Sequence, residues 1–73
     1  MSNFPSLKAR EILSILFAHG FAKVRTSGSH IRLRKNSNLV TVPFHAAKTV
    51  PRGTLKSIIR QSGLTVAEFL SKR

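Results

Sequence analysis

The groups best suited to chemistry lie in one stretch, Arg25-Thr-Ser-Gly-Ser-His-Ile-Arg-Leu-Arg-Lys35. Gly28 marks a turn between two segments that alternate apolar and polar residues, so residues 26–29 are expected to form a hairpin loop. In the strand that follows, Ile31 and Leu33 point to one face, and His30, Arg32 and Arg34 to the other. An imidazole then stands at the mouth of a loop beside two guanidinium groups. Imidazole exchanges protons near neutral pH, and arginine grips phosphate oxygens as a planar fork. Together they can recognise phosphate and manage a proton next to it. A solvated strand face with an incidental histidine would show the same residues, since most exposed histidines have no special role.

The elements that must position this stretch follow from the spacing of apolar residues. Ser6 is a candidate cap for a helix running to about His19, where Gly20 ends it. Ala9, Ile12, Leu13 and Leu16 fall at helical spacing and form its buried stripe, flanked by Ile15 and Phe17. His19, in the last turn, is placed to interact with the helix dipole. Residues 21–25 are the first strand, with Ala22 and Val24 inward and Lys23 and Arg25 outward. The second strand is 30–34. A turn at 35–38 leads to a third strand at 39–42, stopped by Pro43. Short loops between three strands favour an antiparallel meander.

After a loop with no clear period, Pro51 suits the first turn of a second helix that runs to about Gln61 and stops near Gly63. Leu55, Ile58 and Ile59 form its core stripe. Arg52, Lys56 and Arg60 recur every four residues on the opposite side. Like charges at that spacing destabilise an isolated helix by about 0.2–0.5 kcal/mol per pair, a cost easier to understand if an anion is the partner. Thr65-Val-Ala-Glu68 is a capping box opening a short last helix, with Phe69 and Leu70 able to pack down.

Seventy-three residues allow one domain, covering 1–73. The chain has no cysteine, and its three histidines lack ligand spacing, so no disulfide and no metal site is expected. Thirteen Lys and Arg face two acids, Glu11 and Glu68, giving a formal charge of +11. Nothing acidic lies between Ile12 and Ala67, a surface more readily tolerated with a polyanionic partner. The longest apolar run, 12–18, is far short of the ~20 residues a membrane span needs. It also makes a poor leader, because Glu11 stands where such signals are basic and cleavage there would remove the only long helix before the hairpin. A cytoplasmic location is expected.

The expected fold is therefore α+β, in the order α-β-β-β-α(-α), with a three-stranded antiparallel sheet covered on one face by helices. That order is the one found in double-stranded-RNA-binding domains. Those domains touch RNA through the first helix, the loop between the first two strands and the start of the second long helix. Here these places hold Lys8 and Arg10, the 26–29 loop, and Lys48, Arg52 and Lys56.

Three motifs narrow the reading. Gly28-Ser-His30, then Val42-Pro-x-His45-x-x-Lys48, then Gly53-Thr-Leu-x-x-Ile-Ile-Arg-Gln-Ser-Gly-Leu64 resemble HicA toxins, the mRNA-cleaving members of HicA–HicB toxin–antitoxin pairs. The resemblance runs from Gly20 to about Leu70. It implies a fold like the double-stranded-RNA-binding domain, RNA cleavage without a cofactor, and a HicB-like antitoxin that covers the active site. The family's catalytic histidine falls on His30. The chain departs from the pattern at Ala46-Ala47, where a more polar or glycine-rich loop is usual.

The leading expectation is a metal-independent endoribonuclease acting on mRNA. RNA carries its own nucleophile, the 2′-hydroxyl, so a protein need only position the strand, move protons and stabilise negative charge. His30 is the candidate base and His45 an accessory group. Lys23, Arg25, Ser29, Arg32, Arg34, Lys48, Arg52, Lys56 and Arg60 are the candidate RNA contacts, and an acidic antitoxin is the expected protein partner. A non-catalytic RNA- or DNA-binding module is the alternative, since basic charge serves binding as well as cleavage. A basic scaffold permanently buried in RNA is a third class. Only the loop histidine separates these on the residues alone.

Overall fold

Apolar alternation in the middle of the chain and helical periodicity at both ends produce the expected α+β layering. The computed structural model describes residues 5–45 and 48–73, so the Ala46-Ala47 departure lies outside the described residues, as do the first four positions of the N-terminal tail. The elements are α1 (Ala9–Ala18), β1 (Ala22–Ser27), β2 (His30–Lys35), β3 (Asn38–Pro43), α2 (Arg52–Ser62) and α3 (Val66–Leu70). The three strands form one antiparallel sheet in the order β1-β2-β3.

Helix α1 starts later than Ser6. Lys8 is extended instead and the segment pairs with the chain ahead of α2: the Val50 N–H donates to the Leu7 carbonyl at 2.8 Å, and Lys8 bridges Thr49. This pairing buries Leu7 and leaves Lys8 as the cap residue. Glu11 completes the start by accepting the Lys8 backbone N–H at 2.9 Å. Within the helix, Ile15 joins Ala9, Ile12 and Leu16 in the core, whereas Leu13 is only half-buried and Phe17 is exposed. The helix's buried stripe thus differs from the expected set at one member, with Ile15 in place of Leu13.

At the other end of α1, Lys35 reaches back from β2, and its Nζ donates to the His19 carbonyl at 2.6 Å. A cation there meets the negative end of the helix dipole. The His19 ring packs toward α3, with Nε2 3.4 Å from the Phe69 carbonyl. His19 is therefore an α1–α3 tie.

The β1–β2 hairpin closes through a two-residue turn, Gly28-Ser29, shorter than the loop expected. Gly28 has φ 57°, the positive angle that a two-residue hairpin requires at its first turn position. Ser27 faces His30, Thr26 faces Ile31 and Arg25 faces Arg32. The register then shifts, and Lys23 faces Leu33 while Ala22 faces Arg34. Val24 is the extra residue of a β-bulge.

This bulge overturns part of the expected strand pattern. Residues directly opposite in an antiparallel pair share a face, so Lys23 lies on the Leu33 side and Ala22 on the Arg34 side. Val24 is 54% exposed rather than inward. The cause is a conflict of phase between Phe21 and Arg25. Phe21 is 4% exposed and belongs to the core, while Arg25 stands opposite Arg32 on the other face. Four residues apart, the two would share a face under strict alternation. One inserted residue lets both be satisfied.

The core lies between the sheet and the helices. Leu33, Val40 and Val42 from the sheet meet Ile12 and Leu16 of α1, Leu55, Ile58 and Ile59 of α2, and Phe69 of α3. Helix α2 keeps its expected limits, with Pro51 before it and Gly63 at φ 78° ending it. It also seals the edge of β3. Gln61 Oε1 accepts the Thr41 backbone N–H at 3.1 Å, and Asn38 Nδ2 donates to the Ser62 carbonyl at 2.8 Å. The capping box of α3 forms as expected: Thr65 Oγ1 accepts from the Glu68 N–H, and Glu68 Oε1 accepts from the Thr65 N–H. Those bonds hold the Glu68 carboxyl below its usual pKa, the Thr65 backbone N–H contributing most.

Candidate functional site

With both long helices on one side, the other face of the sheet is left open, and its residues form rows across the strands. Nearest the hairpin turn, Ser27, His30 and Pro43 stand side by side; two residues further along come Arg25, Arg32 and Thr41; beyond them lie Ala22, Arg34 and Leu39. Same-face neighbours along β2 are roughly 7 Å apart. His30 thus has Arg32 as its next neighbour on the face, and both are exposed.

Arg25, Ser27, His30, Arg32 and Thr41 line a shallow hollow of about 130 Å³. Three of these residues, Arg25, His30 and Arg32, are expected site residues. Ser27 and Thr41 were missed. Each is the direct strand partner of an expected residue, so the register of the hairpin was the signal that would have found them.

The remaining candidates fall elsewhere. Lys23 is exposed but stands on the helix side of the sheet by register, so, contrary to expectation, it does not share the face of His30. Arg34 is on the open face, one row beyond the hollow. Ser29 belongs to the turn, and its carbonyl accepts the Phe44 N–H at 2.6 Å, extending the β2–β3 pairing into the following loop. That loop carries His45 and Lys48, both exposed, with the Lys48 N–H donating to the His45 carbonyl at 2.9 Å. Neither lines the hollow. Arg52, Lys56 and Arg60 all lie on the exposed side of α2, away from its buried residues Leu55, Ile58, Ile59 and Ser62. The protein therefore carries two separate cationic surfaces, one on the open sheet face and one on a helix.

Both acids are engaged far from the hollow. Glu11 caps α1 and Glu68 caps α3. Among the described residues no group of three or more His, Cys, Asp or Glu comes together that would hold a metal ion. No helix is long and apolar enough to cross a membrane, among the same residues.

Fold and face together define a small α+β protein whose sheet presents a cationic surface with one histidine at its edge. Residues 9–64 match the family described as the HicA toxin of bacterial toxin-antitoxin, and the chain belongs to that family. It is accordingly a toxin of a toxin–antitoxin pair, and membership implies a cognate antitoxin. No curated protein matches the chain.

Proposed function

We propose that this toxin is an endoribonuclease acting on mRNA, with His30 as its general base and a HicB-like acidic protein as its antitoxin. The observation that carries the reading is the position of His30: exposed, at the end of a tight turn, and lining a hollow with two arginines in a chain of the HicA family. The reaction needs no group the chain lacks. His30 accepts the proton of a 2′-hydroxyl, the 2′ oxygen attacks the adjacent phosphorus, and the P–O5′ bond breaks. The leaving oxygen takes a proton from water, and His30 later returns its own to solvent. The products are a 2′,3′-cyclic phosphate and a 5′-hydroxyl end. Cationic side chains on the sheet stabilise the added negative charge.

The surface on α2 fits a different task. Phosphate contacts position a strand without reading its sequence, and Arg52, Lys56 and Arg60 are suited to hold RNA backbone. An acidic antitoxin fits the same charge excess, and binding of that kind is fast and strongly weakened by salt.

Expression of the chain alone in bacterial cells, with total RNA followed over time, tests the reading. Growth arrest accompanied by mRNA decay is expected, reversed by a co-expressed acidic partner. The purified protein should cut RNA with EDTA present. Harmless accumulation, together with RNA binding but no cleavage in vitro, would establish the non-catalytic module instead.

A further inference from the structure

The row next to His30 contains an arrangement that the fold itself does not explain. Arg25 and Arg32 stand directly opposite each other on adjacent antiparallel strands. Opposed residues have their Cβ atoms about 4.5–5.5 Å apart, and like charges so placed destabilise the pair. Elsewhere a carboxylate often relieves such a pair. Here both acidic side chains of the chain cap helices on other elements. Neither guanidinium has a hydrogen-bond or ion-pair partner among the described residues.

Three further features surround the pair. The hollow they line has room for a tetrahedral oxyanion and a few waters, given about 30 Å³ per water in the liquid. Thr41, on the far side of Arg32, and Ser27, on the near side of His30, add hydroxyl groups to its wall. The bulge at Val24 keeps Lys23 off this face, so the charge in the row comes from two planar forks and not from a mobile ammonium.

We propose that Arg25 and Arg32, with the hydroxyls of Thr41 and Ser27, form a phosphate clamp that grips the non-bridging oxygens of the phosphodiester under attack. The clamp rests on the ribonuclease reading for its role in cleavage, but its binding of phosphate does not. An oxyanion in the hollow turns a repulsive cross-strand pair into two charge-assisted, fork-shaped contacts. It holds phosphorus within reach of a hydroxyl whose proton passes to His30, one position along the same face. The α2 cations hold the strand, whereas the clamp bears on the reacting group itself.

The test has two arms. In the first, inorganic phosphate is titrated into the wild-type protein against chloride at matched ionic strength, following the arginine Nε–H resonances and the melting temperature. Saturable shifts of the Arg25 and Arg32 signals and a phosphate-specific rise in melting temperature are expected. Both should vanish in Arg25→Ala/Arg32→Ala, and Thr41→Val should weaken binding several-fold. The double variant should remain folded, because it loses exposed side chains and a repulsion. Shifts that do not saturate, or that persist in the double variant, overturn the clamp.

In the second arm, Arg32→Lys keeps the charge and removes the fork. Its kcat should fall at least tenfold with KM little changed, while Arg73→Lys, at an exposed arginine outside both cationic surfaces, leaves both unaltered. Wild-type kcat in Arg32→Lys overturns the catalytic role. Phosphate binding at the two arginines without any RNA cleavage by the wild-type protein would overturn the ribonuclease reading and leave the anion site standing.

Discussion

Strand β2 serves two ends on its two faces. Inward, Leu33 is fully buried among Val40, Val42 and the helices, and Ile31 packs against that cluster; outward, His30, Arg32 and Arg34 are exposed. The same six residues therefore hold the sheet to the helices and present its chemistry, with no side chain doing both. In a protein this small, that separation lets the open face accumulate unfavourable charge at little risk to the fold. Substitutions on one face should change activity without stability, and on the other stability first.

His30→Ala should give the largest effect. General base catalysis contributes about 10²–10⁴-fold, so cleavage should drop by that factor, equivalent to about 3–5 kcal/mol of barrier. Urea unfolding should stay within about 0.5 kcal/mol of wild type, as for other exposed positions. RNA affinity should fall only slightly. An active variant, or one that unfolds, would break the division between the faces.

Leu33→Ala, three positions along, should do the reverse. Emptying a fully buried leucine site costs about 2–5 kcal/mol. Chemical denaturation should show a midpoint shifted far down, and any activity left at low temperature should have the wild-type dependence on pH.

The helix surface sharpens the contrast. Arg52→Ala should weaken binding similarly for all RNA sequences and make the slope of log K against log salt shallower by about 0.7. A changed cleavage preference with an unchanged slope would place Arg52 among the residues that read bases.

A smaller effect belongs to the α3 cap. The Glu68 carboxyl is held below its usual pKa by the Thr65 bonds, so its contribution to stability is present above the unfolded carboxylate pKa and is lost as pH falls through the folded value. Thr65→Ala should cost about 1 kcal/mol at neutral pH. Glu68→Gln should flatten the acid limb of the stability profile, and an unchanged limb would assign it to other groups. Smallest of all, Lys23→Ala should leave kcat unchanged, because the register puts Lys23 on the helix side of the sheet.

Much of this was legible in the residues because local signals agreed with the fold. Gly63 and the Thr65–Glu68 box ended α2 and began α3 where expected, and the alternation of β2 placed Leu33 in the core and the basic residues outside. Two readings failed where a long-range partner decided the outcome. Ser6 is a sound cap on its own, but Leu7 and Lys8 pair with a strand-like segment more than forty positions away in the chain, and that pairing delays the helix. In β1, Ala22 to Arg25 alternates cleanly, which hides the bulge. The clue was that Phe21 and Arg25 have the same parity but belong on opposite sides. The hollow was only half visible for a related reason, since Ser27 and Thr41 acquire meaning only from the residues opposite them.

The inserted residue at Val24 also bears on how the protein behaves in crowded solution. On the outer edge of β3, Gln61 of α2 takes the Thr41 N–H and the Asn38 side chain ties the strand to Ser62, whereas β1, the other outer strand, has all six of its residues exposed and no such tie among the described residues. An uncovered strand is a template on which an identical strand can add, and repeated addition builds a fibre. A bulge interrupts the even spacing such a template needs, and Lys23 and Arg25 on either side of it repel a second copy. The irregularity that lets Phe21 reach the core thus keeps concentrated chains apart, so the protein should resist joining edge to edge even where its antitoxin is missing.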